Sequence, residues 1–185
     1  MSETKNPWTT LTNEPVYENP WIKVMHRNVI TPTGTEGIYG VIHFKNLAVG
    51  VVPLDDQNNT WLVGQYRYTL EKYSWELPEG GCPEGEDPLE AAQRELQEET
   101  GIRAGEWRPL LEMELSNSVT DEVAIAFVAR KLSLGEALPE ATEKLKVKKL
   151  PFSQVVQMVL DGKITDAFTI AMVLKTEVLL KKGLL

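Results

Sequence analysis

A mixed β-sheet carrying helices on both faces is the fold class that the sequence predicts, and three observations predict it. Segments rich in β-branched and aromatic residues fill the first third of the chain, an acid-rich helical segment follows, and two apolar helical segments close the chain. Strands, a helix, more strands and more helices, in that order, build a sheet that helices cover from two sides.

The elements follow in turn. Ile22–Ile30, Gly37–Phe44, Ala48–Leu54 and Trp61–Tyr68 read as strands between turn signals such as Thr33-Gly34 and the polar run 55–59. A helix should begin near Pro88, because Asp87 is a good N-cap, proline suits the first turn, and Glu90 completes a start of capping-box type. It should run to about Thr100, where Gly101 supplies the left-handed residue that ends it. Leu89, Ala92, Leu96 and Thr100 share a face that can meet a core, and Glu95, Glu98 and Glu99 share another. Trp107–Glu114 and Glu122–Leu132 read as further strands. Ser153–Leu160 and Thr165–Lys182 read as the closing helices, stopped at Gly162 and Gly183.

At 185 residues with 42% hydrophobic content, the chain suits one domain of ordinary size with a short N-terminal extension. A net charge of −8 excludes a duplex-binding surface, which would concentrate lysine and arginine, so no nucleic-acid partner is expected. No apolar stretch is long enough to cross a bilayer, so no membrane partner is expected either. Cys82 is the sole cysteine, and Met1–Lys5 lacks the apolar region of a signal peptide; a cytoplasmic protein is the expectation. With no histidine near it in sequence, Cys82 reads as a small packing residue.

Three carboxylates on one patch near a helix C-terminus oppose the macrodipole by roughly 0.3–1 kcal/mol each, and their mutual repulsion adds to that. An acidic solvated face is the bland reading. Arg94 can pair with Glu90 or Glu98, and Glu86 lies within reach, but one guanidinium cannot neutralise the group. A hard divalent cation can, since carboxylate oxygen suits magnesium and manganese.

The fixed offsets of Gly80, Glu86, Arg94, Glu95, Leu96, Glu98, Glu99, Gly101 and Ile102 decide between these readings, because together they resemble the Nudix box at every defining position. Gly64–Tyr68 and Trp75–Gly81 resemble the strand and loop that precede the box in the ADP-ribose and nucleoside diphosphate sugar pyrophosphatase branch. The resemblance implies an α/β/α sandwich over 46–185. It also implies a β-rich segment over 1–45 that serves base recognition and builds a homodimer.

Magnesium, with manganese as the alternative, would be held by Glu95 and Glu99, by Glu98 directly or through water, and by the Glu79 carbonyl. Gly80, Glu86, Arg94 and Gly101 would shape the motif. Arg67 would hold a phosphate, since a guanidinium fits phosphate oxygens in pairs, with Glu76 beside it on the substrate. The implied reaction is hydrolysis of the diphosphate of a nucleotide sugar. The water would be activated by Glu122 first, Asp121 second, in the loop 116–122, with Glu98 a further catalytic acid.

Asn117 stands where ADP-ribose enzymes of the branch commonly carry proline, so a broader range including ADP-ribose, ADP-glucose and GDP-mannose is expected. Trp21 and Tyr39 are the residues to stack on a nucleobase, Trp21 alternatively anchoring a core or dimer interface, and Trp8 reads as structural. Two other readings stand beside this one. They are a Nudix pyrophosphatase acting on nucleoside triphosphates or dinucleoside polyphosphates, and a non-enzymatic sugar-nucleotide sensor.

Overall fold

The computed structural model describes residues 5–135 and 145–185; positions 1–4 of the expected N-terminal segment lie outside the described residues. Two compact units divide the chain, Met1–Asn46 with Ser116–Glu122, and Leu47–Leu115 with Val123–Leu185.

In the first unit β1 (Thr9–Glu18), β2 (Ile22–Ile30) and β3 (Glu36–Phe44) form an antiparallel meander in that order. The hairpin turns are local chemistry. Asn19 Oδ1 accepts from the backbone N–H groups of Trp21 and Ile22 at 2.9 and 2.8 Å, and Gly34 takes a φ of 85°. Sequence reasoning found β2 and β3 but not β1, none of whose residues is buried and whose pairing is interrupted twice, with Pro15 on this edge strand. Met25 and Val29 are the buried apolar side chains of the unit among the described residues. Residues 116–122, which a division at residue 45 would leave in the second domain, belong here through a parallel bridge between Ile42 and Thr120.

The second unit contains β4 (Leu47–Pro53), β5 (Asn59–Arg67), a 3₁₀ turn at Tyr68–Leu70, β6 (Lys72–Glu76), β7 (Glu79–Cys82), α1 (Pro88–Thr100), β8 (Ile102–Glu114), β9 (Val123–Leu134), β10 (Lys146–Pro151), α2 (Phe152–Leu160) and α3 (Ala167–Lys181). A mixed four-stranded sheet runs β7-β4-β9-β8, with β4 and β9 parallel and the other pairs antiparallel. The strand expected at Trp61–Tyr68 belongs to a second, antiparallel sheet of order β10-β5-β6.

Alternation along β4 and β9 sorts the core into two layers. Val49, Val51 and Phe127 pack with Ala91, Ala92 and Leu96 of α1, whereas Val52, Ala126 and Val128 pack with Phe152 and Val155 of α2 and Phe168 and Met172 of α3. Helices thus cover both faces, and β4 reads as a continuous apolar run because neither face meets water. A Cβ on Gly50 would lie 2.6 Å from the Phe168 ring, so glycine permits the close approach of α3.

Three strands of this unit escaped sequence reasoning. β7 is short and glycine-rich, β10 is an edge strand spaced with lysines, and β6 reads as part of the loop before the box. α3 begins at Ala167 rather than Thr165 because Asp166 caps it, its Oδ2 accepting from the Thr169 N–H at 2.6 Å. Among the described residues no helix is long and apolar enough to cross a membrane.

Candidate active site

The site is assembled on α1 and on β7, which lies at the edge of the mixed sheet. α1 starts and stops where local chemistry dictates: Asp87 Oδ1 accepts from the N–H groups of Leu89 and Glu90 at 2.9 and 3.2 Å, and Gly101, at φ 72°, donates to Gln97 O at 2.8 Å. A cap of this kind is worth about 1 kcal/mol. The core face differs from expectation in two positions. Ala91 joins Ala92 and Leu96 in the core, whereas Thr100 is half-buried and returns its hydroxyl to Leu96 O.

Three carboxylates crowd one guanidinium. Arg94 reaches Glu86 through two donors, Nε to Oε1 at 3.2 Å and Nη2 to Oε2 at 3.1 Å, while Nη2 also donates to Gly81 O at 2.8 Å. Its Nη1 donates to Glu95 at 2.7 Å and Glu98 at 3.1 Å. Glu90, offered by spacing as a partner, is not among these contacts. The bridge from Arg94 to Glu86 and Gly81 thus ties the loop before α1 to the helix, as a motif-shaping role requires.

Glu95 and Glu99 are placed by β7. A Cβ on Gly80 would lie within 2.5 Å of every carboxylate atom of Glu95, so that carboxylate occupies the space a side chain at Gly80 would fill. Glu99 is 4% exposed, and its Oε2 accepts from the Glu79 N–H at 3.0 Å. A carboxylate this deeply buried is rare unless something charged answers it.

Beside the box lies a second acidic group that sequence reasoning did not assemble. Carboxylate oxygens of Glu76, Glu79 and Asp166 lie within 4.8 Å of one another. Arg67 answers two of them, donating from Nε to both oxygens of Glu76 at 3.1 and 3.0 Å, from Nη2 to Glu76 Oε2, and from Nη2 to Glu79 Oε1 at 3.0 Å. Glu76, expected on the substrate, is 3% exposed with both oxygens on Arg67, so it orients that guanidinium instead. Arg67 Nη1 is outside these contacts. Burial pushes the Glu79 carboxyl well above the usual carboxylate range, with Asp166 and Glu76 adding to the effect, and its Oε2 is buried without a hydrogen-bond partner among the described residues. Glu79 was expected to contribute only its carbonyl, yet burial perturbs its side chain strongly. Asp166 carried only the signal of a helix cap.

The donor set fits a hard divalent cation. It consists of carboxylate oxygens in excess of cationic groups, one of them seated where only glycine leaves room. Cys82 is buried, its Sγ donating to Glu86 O at 3.4 Å, and burial pushes the thiol up, which fits packing and not nucleophilic work.

The remaining sequence candidates belong to the first unit. Asp121 accepts from the Phe44 N–H at 2.9 Å on Oδ1 and pairs with His43 Nδ1 through Oδ2, so both of its oxygens serve the sheet rather than a water. Glu122 is half-buried, and burial pushes its carboxyl upward. Tyr39 donates its hydroxyl to Ser118 O at 2.8 Å, and its ring stands edge-on to Trp8 with centroids 5.4 Å apart. Trp21 is 65% exposed.

Comparison with known proteins agrees with this geometry. Residues 44–168 match the NUDIX domain, and the chain belongs to the Nudix hydrolase family. Residues 8–42 match the nucleoside diphosphate sugar hydrolase N-terminal domain, which covers all of the three-stranded meander but the end of β3. The chain is 30% identical over 163 residues to a methanol dehydrogenase activator of Bacillus methanolicus, covering 87% of this chain and 88% of that protein. It is 28% identical over 162 residues to an ADP-ribose pyrophosphatase of Bacillus subtilis (strain 168), covering 86% and 87%. A solved structure described as an ADP compounds hydrolase superposes with a TM-score of 0.85 over the full length of both chains at 24% identity, a likeness of fold.

Proposed function

We propose that the protein hydrolyses the diphosphate bond of nucleoside diphosphate sugars, ADP-ribose and related ADP and GDP sugars, to a nucleoside monophosphate and a sugar phosphate. The observation that carries this reading is the Glu95 carboxylate seated over Gly80 among Glu86, Glu98, Glu99 and a single arginine. The match of 8–42 to a nucleoside diphosphate sugar hydrolase domain and the likeness to an ADP-ribose pyrophosphatase support the substrate class. Glu95, Glu98, Glu99 and the Glu79 carbonyl would hold Mg²⁺, or Mn²⁺ in its place. Such an ion neutralises charge developing on the diphosphate and lowers the pKa of the attacking water.

The chain's own residues supply the rest. Arg67, pre-oriented by Glu76, presents its Nη1 to a phosphate. Glu122 takes the proton as the water oxygen joins one phosphorus and that phosphorus's bond to the bridging oxygen breaks, the bridging oxygen leaving with the other phosphate. Its raised pKa brings it toward the range in which a general base works well. Trp21 and Tyr39 recognise the nucleobase. The exposed apolar side chains of the N-terminal sheet, Leu11, Val16 and Ile38, support its use by a second copy in a homodimer. A single, buried cysteine and a nucleotide-sugar substrate support a cytoplasmic location.

Phosphorus NMR tests the reading with magnesium and a panel of ADP-ribose, ADP-glucose, GDP-mannose, NADH, diadenosine tetraphosphate and nucleoside triphosphates. Nucleotide sugars should give two phosphomonoesters, and Glu99→Gln should abolish this. Turnover of triphosphates or dinucleotides alone would place the protein in another Nudix class. The relative described as a methanol dehydrogenase activator favours one second reading, in which the protein acts on a partner enzyme. Silence across the whole panel would leave that reading standing.

A further inference from the structure

Residues 116–122 leave β8 and return to β9, yet they fold with the N-terminal sheet. Backbone pairing holds them along β3: Ile42 N donates to Val119 O at 2.9 Å, and Asp121 N donates to Ile42 O at 3.3 Å. Within the segment, Val119 N and Thr120 N donate to Ser116 O at 3.1 and 3.0 Å, closing a compact turn. Side chains then fix the end that carries Glu122. Asp121 accepts from Phe44 N on one oxygen and meets His43 Nδ1 on the other.

The far side of the imidazole settles which way the protons point. His43 Nε2 lies 3.1 Å from Arg27 Nη2, and a guanidinium has only donors, so Nε2 accepts. The ring proton therefore sits on Nδ1 and is donated to Asp121. Arg27 is itself held by Asn13, whose Oδ1 accepts from Nε at 2.9 Å. Arg27 on β2 thus donates both to Asn13 on β1 and to His43 on β3, and His43 donates in turn to Asp121, the residue before Glu122. Cation and carboxylate flank the imidazole on its two sides, so each link orients the next.

We propose that His43 is a positioning residue for the hydrolytic step: held between Arg27 and Asp121, it fixes the 116–122 segment and through it Glu122. Asp121 serves as the strut between ring and segment. This rests on the reading of Glu122 as the base.

The test uses the full-length protein with magnesium and ADP-ribose. His43→Ala should lower kcat by about tenfold or more, since an ångström of misplacement costs roughly 10²-fold, and leave KM little changed. His43→Asn, whose side-chain amide nitrogen replaces Nδ1, should restore most of the loss, which also separates misplacement from misfolding. In the double variant with Glu122→Gln the loss should not exceed that of Glu122→Gln alone, because both changes act on one group. Amide exchange at Phe44 and Asp121 should accelerate in His43→Ala. Unchanged exchange and kcat in His43→Ala, or a loss that adds fully to that of Glu122→Gln, would overturn the proposal while the base assignment stands. Normal turnover by Glu122→Gln would overturn the base assignment and the proposal with it, and is seen in that variant alone.

Discussion

Replacing Gly80 with alanine separates the site from the fold. An added Cβ would lie within 2.5 Å of all three Glu95 carboxylate atoms, and ordinary van der Waals contact begins at 3.4 Å. The carboxylate must therefore retreat by about 1 Å. It is the far end of a flexible side chain, held in part by a hydrogen bond from Arg94 at 2.7 Å, and its retreat costs on the order of 1 kcal/mol, the low end of overpacking penalties. For catalysis a displacement of that size is worth roughly 10²-fold, because the carboxylate is required at a fixed place. ADP-ribose turnover at saturating magnesium, Mn²⁺ affinity by electron paramagnetic resonance and urea unfolding measure the three quantities on one preparation. Gly80→Ala should unfold near the wild-type midpoint, bind Mn²⁺ more weakly and lose about two decades of kcat. Turnover within a few fold of wild type would refute the claim that Glu95 is a ligand held in the space above Gly80.

Other outcomes follow from the same contacts. Glu122→Gln should lower kcat by roughly 10²–10⁴ and remove the acid limb of the rate profile, a limb that burial sets above the ordinary glutamate value; a rate within a few fold of wild type would dismiss Glu122 as the base. Glu79 has a raised folded-state pKa, so the stability it contributes is fully present below the unfolded value of about 4.3 and is lost as pH rises through the folded value. Metal-free wild type should therefore lose Tm relative to Glu79→Gln as pH rises above that point, and parallel curves would contradict the shift. Arg94→Lys removes the fork that joins Glu86 to Gly81 and should cost about 1–3 kcal/mol in metal-free urea unfolding, below the figure for a fully buried pair because Arg94 is a third exposed. Magnesium should recover part of that loss, since ligand at 100 times its Kd adds about 2.7 kcal/mol.

What the sequence disclosed divides along the line between local and long-range chemistry. α1 was legible to the residue because its start and stop depend on Asp87, Pro88 and Gly101, which act on their own neighbours. The box acids were legible for the same reason: helical spacing alone puts Glu95, Glu98 and Glu99 on one side. Asp166 joins Glu76 and Glu79 only after β6, β7 and the start of α3 have been brought together, so no spacing announces it. His43 was invisible because its partner comes from a loop far along the chain. β1 escaped because its side chains stay exposed, and hydrophobic alternation marks a strand only where one face is buried. Arg67 was located correctly on its strand, but its restraint by Glu76 and Glu79 depends on the β5–β6 pairing register and on the turn into β7.

Hydrolysis of ADP-ribose in ¹⁸O-water, with magnesium and with Glu99→Gln in parallel, tests the central claim most directly. The account predicts one ¹⁸O atom in the phosphate of a single product, AMP or ribose 5-phosphate, and no turnover in the variant. Label on a sugar carbon, or equal turnover by Glu99→Gln, would contradict it.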